Sequence, residues 1–323
     1  MNSLLKFKSK TRLLFERYPV IKNILLPVKL IVNFYFQFIA SDKLYYRENF
    51  SNTMGYYFDF DNPKTLNEKI QVLKLYDRTD LHTQCADKIE VRKYVSSIIG
   101  HDKLVPLINV LDDVNKFNMN LLPEFPVIIK ASHDSGSTLI ILDKKLHKTE
   151  IIKSKLISWV NRNYYSYSRE WQYKNIQPRI LIEKLLNNLD GKIPADIKAH
   201  CINGKVEFFQ IDIGRGTENH FRDFYFSNWE KAPFSWNGVK DENGKRLPTS
   251  NNYTNKPSYL EDLIKCSEKL SKPFAYVRVD WYDCGEKFYF GELTFHHDSG
   301  FVPILPKKWD LHFGNKVKFN HES

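Results

Sequence analysis

The stretch Pro126-Val127-Ile128-Ile129-Lys130-Ala131-Ser132-His133-Asp134-Ser135-Gly136-Ser137-Thr138-Leu139-Ile140-Ile141 constrains the fold of this chain more than any other. A proline precedes one β-branched apolar run, Val127 to Ile129, and a second apolar run, Leu139 to Leu142, follows a small polar connection. Such runs suit covered strands, and the small residues between them suit a hairpin. Lys130 closes the first strand and points at whatever the turn holds. Free backbone N–H groups in a loop of small residues, with a lysine beside them, can cradle a polyphosphate. The same residues also describe an ordinary surface hairpin with a solvated lysine, so the rest of the chain has to decide.

The chain has 323 residues, of which 42% are apolar and 15% aromatic. That is enough for a folded core in one large domain or a few small ones, and it excludes a disordered chain. A net charge of +10 suits nucleic acid, a membrane surface or an acidic substrate. No Cys/His finger, aromatic RNA-binding strand or basic recognition helix is present, so a nucleic-acid partner is not expected. Cys85, Cys201, Cys266 and Cys284 are far apart and form no C-x-x-C pair, which argues against zinc ligation and a disulfide framework. Scattered thiols and the lack of a secretory pattern lead to a cytoplasmic expectation.

Residues 1–45 form a basic amphipathic extension, with Lys6, Lys8, Lys10, Arg12, Arg17, Lys22 and Lys29 interleaved among apolar residues. Lys22 and Lys29 interrupt the apolar run before it reaches the roughly 20 residues that span a bilayer. Two readings stand here: a segment lying on the inner, anionic membrane face, or a helical extension packed on the domain. Further on, Thr65 and Glu68 make a capping box that opens a helix, and Asp80 to Gly100 reads as a second helix. Arg179 to Leu186 is a strand running into a loop, and Asp196 to Ile202 is a strand turned back by Asn203-Gly204. Residues 214–256 read as a long irregular stretch, a functional loop or a mobile one, carrying Arg215, Arg222, Trp229 and Trp236. Tyr276 to Asp283 pairs with Phe288 to Phe295 across Gly285. The period of two places Arg278 with Asp280 on one face, and Glu292 with Thr294 likewise. Carboxylates on adjacent strands repel unless a cation lies between them, and hard oxygen donors with open positions suit Mg²⁺. A charged solvent face is the alternative, but flanking Val277, Val279, Phe288 and Phe290 favour a covered sheet.

Taken in series, these pieces resemble an ATP-grasp ligase. Asp87-Lys88 resembles that family's first phosphate-binding lysine, and Pro126 to Thr138 its second lysine and lid loop. Leu181 to Leu186 resembles the adenine hinge, and Arg278-Val279-Asp280 with Glu292-Leu293-Thr294 the paired metal strands. Lys64 to Gln71, Leu73 to Arg78, Ala86-Asp87-Lys88 with Val91-Arg92, and Gly291 to Phe295 with Ser299-Gly300-Phe301 are similar to the TupA-like polysaccharide-biosynthesis branch. The resemblance covers residues 46–316 and leaves out the basic extension.

The resemblance implies an α+β fold in which two α+β lobes clasp ATP after a small helical N-terminal region. The expected divisions are the extension 1–45, a helical pre-grasp region 46–105, a small lid lobe 106–182, and a C-terminal lobe 183–323 with the metal site and acceptor loop. It also implies ATP and two Mg²⁺ as cofactors. The implied reaction is an amide ligation through an acyl phosphate. The carboxylate comes from a uronic acid of a bacterial surface polysaccharide or its precursor, and the amine from an amino acid or amino alcohol. A sugar kinase with the same grasp and a non-catalytic scaffold are the alternatives.

Residue roles come with the resemblance. Lys88 and Lys130 neutralise phosphates, and Ser135, Gly136 and Ser137 offer backbone N–H groups to them. The main chain of Lys184, Leu185 and Leu186 reads adenine; Glu183 and Asp196 take its amine side or the ribose, and Lys198 touches phosphate. Asp280 and Glu292 hold Mg²⁺, with Thr294, a water or His296 where the family pattern has Asn. Arg278 stabilises the acyl phosphate, while Arg215 and Arg222 grip a carboxylate. Trp229 and Trp236 either stack on sugar rings or pack in the core. Adjacent strand residues point to opposite faces, so at most one of His296 and His297 can join the site.

Overall fold

The computed structural model describes residues 34–35, 39–189, 191, 193–213, 221–237, 250 and 254–319. Arg215 and the basic extension over residues 1–33 lie outside the described residues. No helix among the described residues is long and apolar enough to cross a membrane.

Four helices come first: α1 (Asp42–Met54), α2 (Leu66–Tyr76), α3 (Asp80–Ala86) and α4 (Val91–Ile99). The capping box of α2 is formed in both directions. The Glu68 N–H donates to Thr65 Oγ1 and the Thr65 N–H to Glu68 Oε2, each at 3.2 Å. The helix expected over Asp80 to Gly100 is broken in two. Asp87 leaves helical conformation at ψ 116° because its carboxylate accepts from the Ile89 N–H at 2.8 Å and from Arg179 at 2.8 Å. An aspartate that bonds its own backbone two residues on competes with the helix. The break turns Lys88 toward the hairpin, where its backbone N–H donates to the Ser132 carbonyl at 3.1 Å.

The first sheet holds β1 (Leu107–Leu111), β2 (Val127–Ala131), β3 (Thr138–Ile141) and β4 (Ile180–Lys184), antiparallel in the order β1-β4-β2-β3. Val127, Ile129 and Ala131 pack with Ile152, Leu156 and Trp159 of helix α5 (Thr149–Val160). Each aliphatic side chain buried so fully contributes on the order of 2 kcal/mol. Ile128 and Lys130 alternate to the other face. A short helix, α6 (Tyr164–Ser168), follows α5.

The second sheet holds β5 (Ala195–Ile202), β6 (Lys205–Ile213), β7 (Phe221–Phe226), β8 (Tyr276–Asp283) and β9 (Phe288–Thr294) in the order β7-β6-β5-β8-β9. Asn203 (φ 47°) and Gly204 (φ 77°) make the tight turn between β5 and β6. Strand β7 falls inside the stretch expected to be irregular. The charged pair Arg222-Asp223 hides its strand pattern, and both charges find partners: Arg222 meets Asp212 across the strands, and Asp223 meets Lys231 and Ser250. One face of this sheet packs through Ile197, Ala199, Val277 and Val279 into a core shared with helix α7 (Leu260–Ser271) and with α4. Helix α8 (Lys307–Lys316) closes the other end against α2.

Trp229 and Trp236 are 1% and 0% exposed. Trp229 lies flat on Tyr225 at 5.0 Å between ring centroids and donates to the Thr254 carbonyl at 2.9 Å. Trp236 donates to the Val302 carbonyl at 2.8 Å. Neither ring presents a face to a sugar, so the stacking role is withdrawn in favour of core packing.

Candidate active site

The second face of the five-stranded sheet is polar, and strand register decides who meets whom. Asp280 lies opposite Glu292 and Lys198, Arg278 opposite Thr294, and Asp212 opposite Asp196 and Arg222. A cation does lie between the paired carboxylates: the Arg278 guanidinium donates to both Asp280 oxygens at 2.6 and 2.7 Å and to Glu292 at 3.2 Å. Thr294 Oγ1 donates to Glu292 at 3.1 Å. Lys198 stands 3.1 Å from Asp196, 3.3 Å from Asp212 and 3.8 Å from Asp280. Burial opposes the charge of Arg278, yet Asp280 beside it holds its pKa above the ordinary arginine value. For Asp280 burial wins over the neighbouring cations and raises the carboxyl. Glu292 is held below its ordinary value, because Arg278, Lys88 and Lys198 outweigh burial.

Lys130 reaches from β2 into the space between the sheets. It donates to Glu183 Oε2 at 2.8 Å and lies 3.5 Å from the Tyr282 hydroxyl. Arg92 takes the other Glu183 oxygen at 2.8 Å. Each Glu183 oxygen thus has a cationic partner, and Glu183 is the group that fixes Lys130. Burial works against the Lys130 charge, but Glu183 and Tyr282 overcome it and hold the ammonium above the ordinary lysine range. Asp196 accepts from Lys198 at 3.1 Å and lies opposite Tyr282 of the cleft wall. Lys88 comes in from the helical region; its ammonium donates to the Asp134 carbonyl. Burial lowers its pKa against the pull of Glu292 and Asp134, the carboxylates near it.

The lid loop is anchored at both ends and open at its tip. Ala131 donates to the Ser137 carbonyl at 3.1 Å and Ser132 to the Arg179 carbonyl at 2.9 Å. The Ser137 hydroxyl donates to Asp134, which also meets Arg162 at 3.5 Å. Gly136 sits at φ 92°, and a Cβ there would meet nothing within 4 Å. The glycine is needed for its backbone conformation, and the tip is free for a ligand's approach.

Behind the lid, Ile128, Ile140, Leu186, Ile193 and Tyr282 line an apolar cleft between the sheets. The N–H groups of Lys184 and Leu185 donate to the carbonyls of Pro106 and Pro126 at 3.0 and 3.1 Å. Those two donors are spent within the fold, so they do not read adenine. The partner residues are prolines, which have no N–H to return. The Lys184 and Leu185 carbonyls therefore lack the return bond that a sheet normally supplies, and an exocyclic amine can use them.

Arg222 is buried, donates to Asp212 at 2.8 Å and to the Trp236 carbonyl at 3.4 Å, and stands 3.7 Å from Asp298. Of the two adjacent histidines, His296 turns away from the site. Its Nδ1 lies 3.2 Å from Gln172 and 3.6 Å from Glu170, which corrects the expectation of His296 as a candidate for completing a metal shell. His297 is the one that faces the site, with Nδ1 2.7 Å from Arg278. Strand alternation favoured His296, but β9 ends at Thr294 and the chain turns at His296 (ψ 76°), which breaks the period. Asp212, Asp298 and Tyr282 were not singled out from the sequence, and Arg92 entered only as part of the family resemblance. Asp212 had a local signal in alternating with Gln210 on β6 opposite the β5 charges, and Tyr282 in following Arg278 and Asp280 at the same parity.

Among the described residues no group of three or more His, Cys, Asp or Glu side chains could hold a metal ion. Asp280 and Glu292 still fit Mg²⁺, which binds through one or two carboxylates and completes its shell with phosphate oxygens and water. A profile described as TupA-like ATPgrasp matches residues 68–318. Similar solved structures include the D-alanine–D-alanine ligase of Bacillus anthracis, 18% identical over 65% of this chain and 57% of its own, with a TM-score of 0.36. The enzyme of that name from Helicobacter pylori is 15% identical over 72% and 60%, with a TM-score of 0.38. A RiPP-associated ATP-grasp ligase from Chryseobacterium gregarium, in complex with ADP and a leader and core peptide, is 12% identical over 71% and 59%, with a TM-score of 0.36. The chain thus spans less than two thirds of the length of each of these structures. No curated protein matches it.

Proposed function

This chain belongs to the TupA-like ATP-grasp family, and from that premise we propose that it joins a uronic acid carboxylate to an amine with consumption of ATP. The acid belongs to a bacterial surface polysaccharide or its precursor, and the amine to an amino acid or amino alcohol. ADP and phosphate leave. The observation that carries this reading is Arg278, shared between Asp280 and Glu292 on the face of the strand whose Tyr282 lines the apolar cleft.

Adenine lies in that cleft between Ile128, Ile140 and Leu186, with its amine toward the unreturned carbonyls of Lys184 and Leu185. Lys88 and Lys130 offset phosphate charge, and the N–H groups around Gly136 meet the terminal phosphates. When bound, Mg²⁺ offsets the charge that develops on the transferred phosphoryl group; Asp280 and Glu292, with Thr294 beside them, are the residues that would hold it. Arg278, which touches both carboxylates, would stabilise the acyl phosphate and the oxyanion that follows it. Arg222 positions the acid beside it. The basic extension over residues 1–45 brings the enzyme to an anionic membrane surface; equal liposome binding with and without it would remove that element.

The test is phosphate release from Mg·ATP with uronic acids and amines supplied singly and together. Release that requires both establishes the ligase. A stable phosphorylated sugar formed without an amine would replace it with a kinase.

A further inference from the structure

An amide ligase needs more than an activated acid. The incoming amine is an ammonium ion at neutral pH and must lose a proton before it attacks. Most carboxylates of the polar face are committed: Asp280 and Glu292 to Arg278, and Asp212 to Arg222 and Lys198. Asp298 is different. Its side chain is 31% exposed, so it is open to a ligand, and its polar neighbours stand off at 3.4 Å (His297) and 3.7 Å (Arg222).

His297 supplies the second, independent observation. It is 1% exposed and lies between Arg278 and Asp298. Arginine only donates, so His297 Nδ1 accepts from Arg278 and the neutral ring carries its proton on Nε2. That Nε2 faces Asp298 Oδ2 at 3.4 Å without completing a hydrogen bond, and it has no other partner among the described residues. A buried donor left in this way costs roughly 1–3 kcal/mol, a cost that closing the site onto a ligand would remove.

The backbone agrees. Asp298 (φ 46°), Ser299 (φ 54°) and Gly300 (φ 66°) form three consecutive left-handed residues. Strain of this kind persists only where the surroundings impose it, and it gathers at functional positions. Here the surroundings are explicit. Gln71 donates to the Ser299 and Gly300 carbonyls at 2.9 and 3.0 Å, Lys74 to the Ser299 carbonyl at 3.1 Å, and the Ser299 hydroxyl to Glu170 at 2.6 Å. Helix α2 thus clamps the turn and aims Asp298 at the Arg278 side of the site.

Resting on the ligase reading, we propose that Asp298 binds the acceptor ammonium and takes its proton, and that His297 positions Asp298 against Arg278. The ammonium gives one proton to an Asp298 oxygen. The nitrogen lone pair forms the N–C bond, the C–O bond to phosphate breaks, and the second nitrogen proton leaves with the phosphate.

The test separates activation of the acid from attack by the amine. Glucuronic acid, galacturonic acid and UDP-glucuronic acid are offered with alanine, glutamate or ethanolamine, and in parallel with hydroxylamine, which is largely neutral at pH 7.5 and needs no base. Asp298→Asn keeps a side chain that tolerates the left-handed turn. It should lower amide formation at least 100-fold while hydroxamate falls less than 3-fold and Mg·ADP affinity stays within 2-fold. His297→Gln, acting through position alone, should raise the amine KM more than it lowers kcat, and Asp298→Glu should recover part of the amide rate. Equal loss of hydroxamate and amide, a tenfold change in Mg·ADP affinity, or unchanged amide formation in Asp298→Asn would overturn the proposal. If the wild-type protein forms neither product, the ligase reading itself falls, and this inference with it.

Discussion

At the residue scale, the site depends on pairings that cross the chain. Lys130 is held by Glu183, which Arg92 also holds, so the lysine is fixed in place before any phosphate arrives. Lys130→Met should therefore cost ATP turnover at least 100-fold. Arg92 still compensates Glu183, so the stability loss should stay near the lower end of the roughly 3–5 kcal/mol that breaking a buried ion pair brings. Turnover and thermal unfolding measured on one preparation check both halves; collapse of the fold would mean that Lys130 is structural first. Asp280→Asn removes one carboxylate from the pair that Arg278 bridges. Turnover should fall and the Mg²⁺ concentration for half-maximal rate should rise about tenfold or more, whereas an unchanged Mg²⁺ titration would take Asp280 out of the site. Lys130, Asp280 and Glu292 could be singled out from residue type and strand parity, which are local signals, whereas Lys88, at a break between helices, was picked out only by the family resemblance. The Glu183 pairing was not, since its partners lie 53 and 91 residues away and no local pattern announces a contact of that span. The tryptophans were misleading for a related reason: an aromatic in a polar stretch reads the same whether its ring faces ligand or core.

At the scale of elements, α2 links the helical region to the site. Its N-terminus is held by its own capping box and by Asp310 of α8, which accepts from the Asn67 N–H and the Asn67 side-chain amide, each at 3.0 Å. Burial is the first cause that pushes the Asp310 carboxyl up from its ordinary 3.8 to about 6. Below pH 4 the group is protonated in folded and unfolded chains alike. Between pH 4 and 6 the unfolded chain releases a proton that the folded chain keeps. Stability from this group is therefore present at low pH and is lost as pH rises through the window, by about 3 kcal/mol in all. Asp310→Asn does not titrate. Relative to wild type, the variant should gain about that much between pH 4 and pH 7 in chemical denaturation; a flat difference would show that Asp310 ionises freely in the fold. The capping box could be read from Thr65 and Glu68 alone. The break at Asp87 and the strand β7 could not, because a side chain bonding to Arg179 and a charged pair satisfied across strands both depend on tertiary partners.

At the scale of the molecule, two sheets face each other across an apolar cleft, with the lid loop and Lys130 on one side and the polar face of the larger sheet on the other. The order of the pieces was legible: a strand, a lysine, a small-residue loop, a hinge and two charged strands follow one another as the fold requires. The depth of the cleft was not, because it depends on how the two sheets meet. Ile128 tests that meeting. Strand alternation points it into the cleft beside Ile140, while its neighbours Val127 and Ile129 pack the opposite face against α5. Ile128→Trp should fill the cleft and leave that core alone. ATP affinity should then weaken at least tenfold, or about 1.4 kcal/mol, with the melting temperature of the ligand-free protein within about 4 °C of wild type, the span of about 1 kcal/mol. Calorimetric titration with ATP and a thermal melt give both numbers. Normal ATP affinity in the Ile128→Trp variant would place the nucleotide elsewhere, and a large drop in melting temperature would show that Ile128 belongs to the core. The first outcome would leave the polar face of the larger sheet without its nucleotide. The second would move the question to Ile140→Trp, on the adjacent strand of the same wall, which would then settle whether filling the cleft excludes ATP.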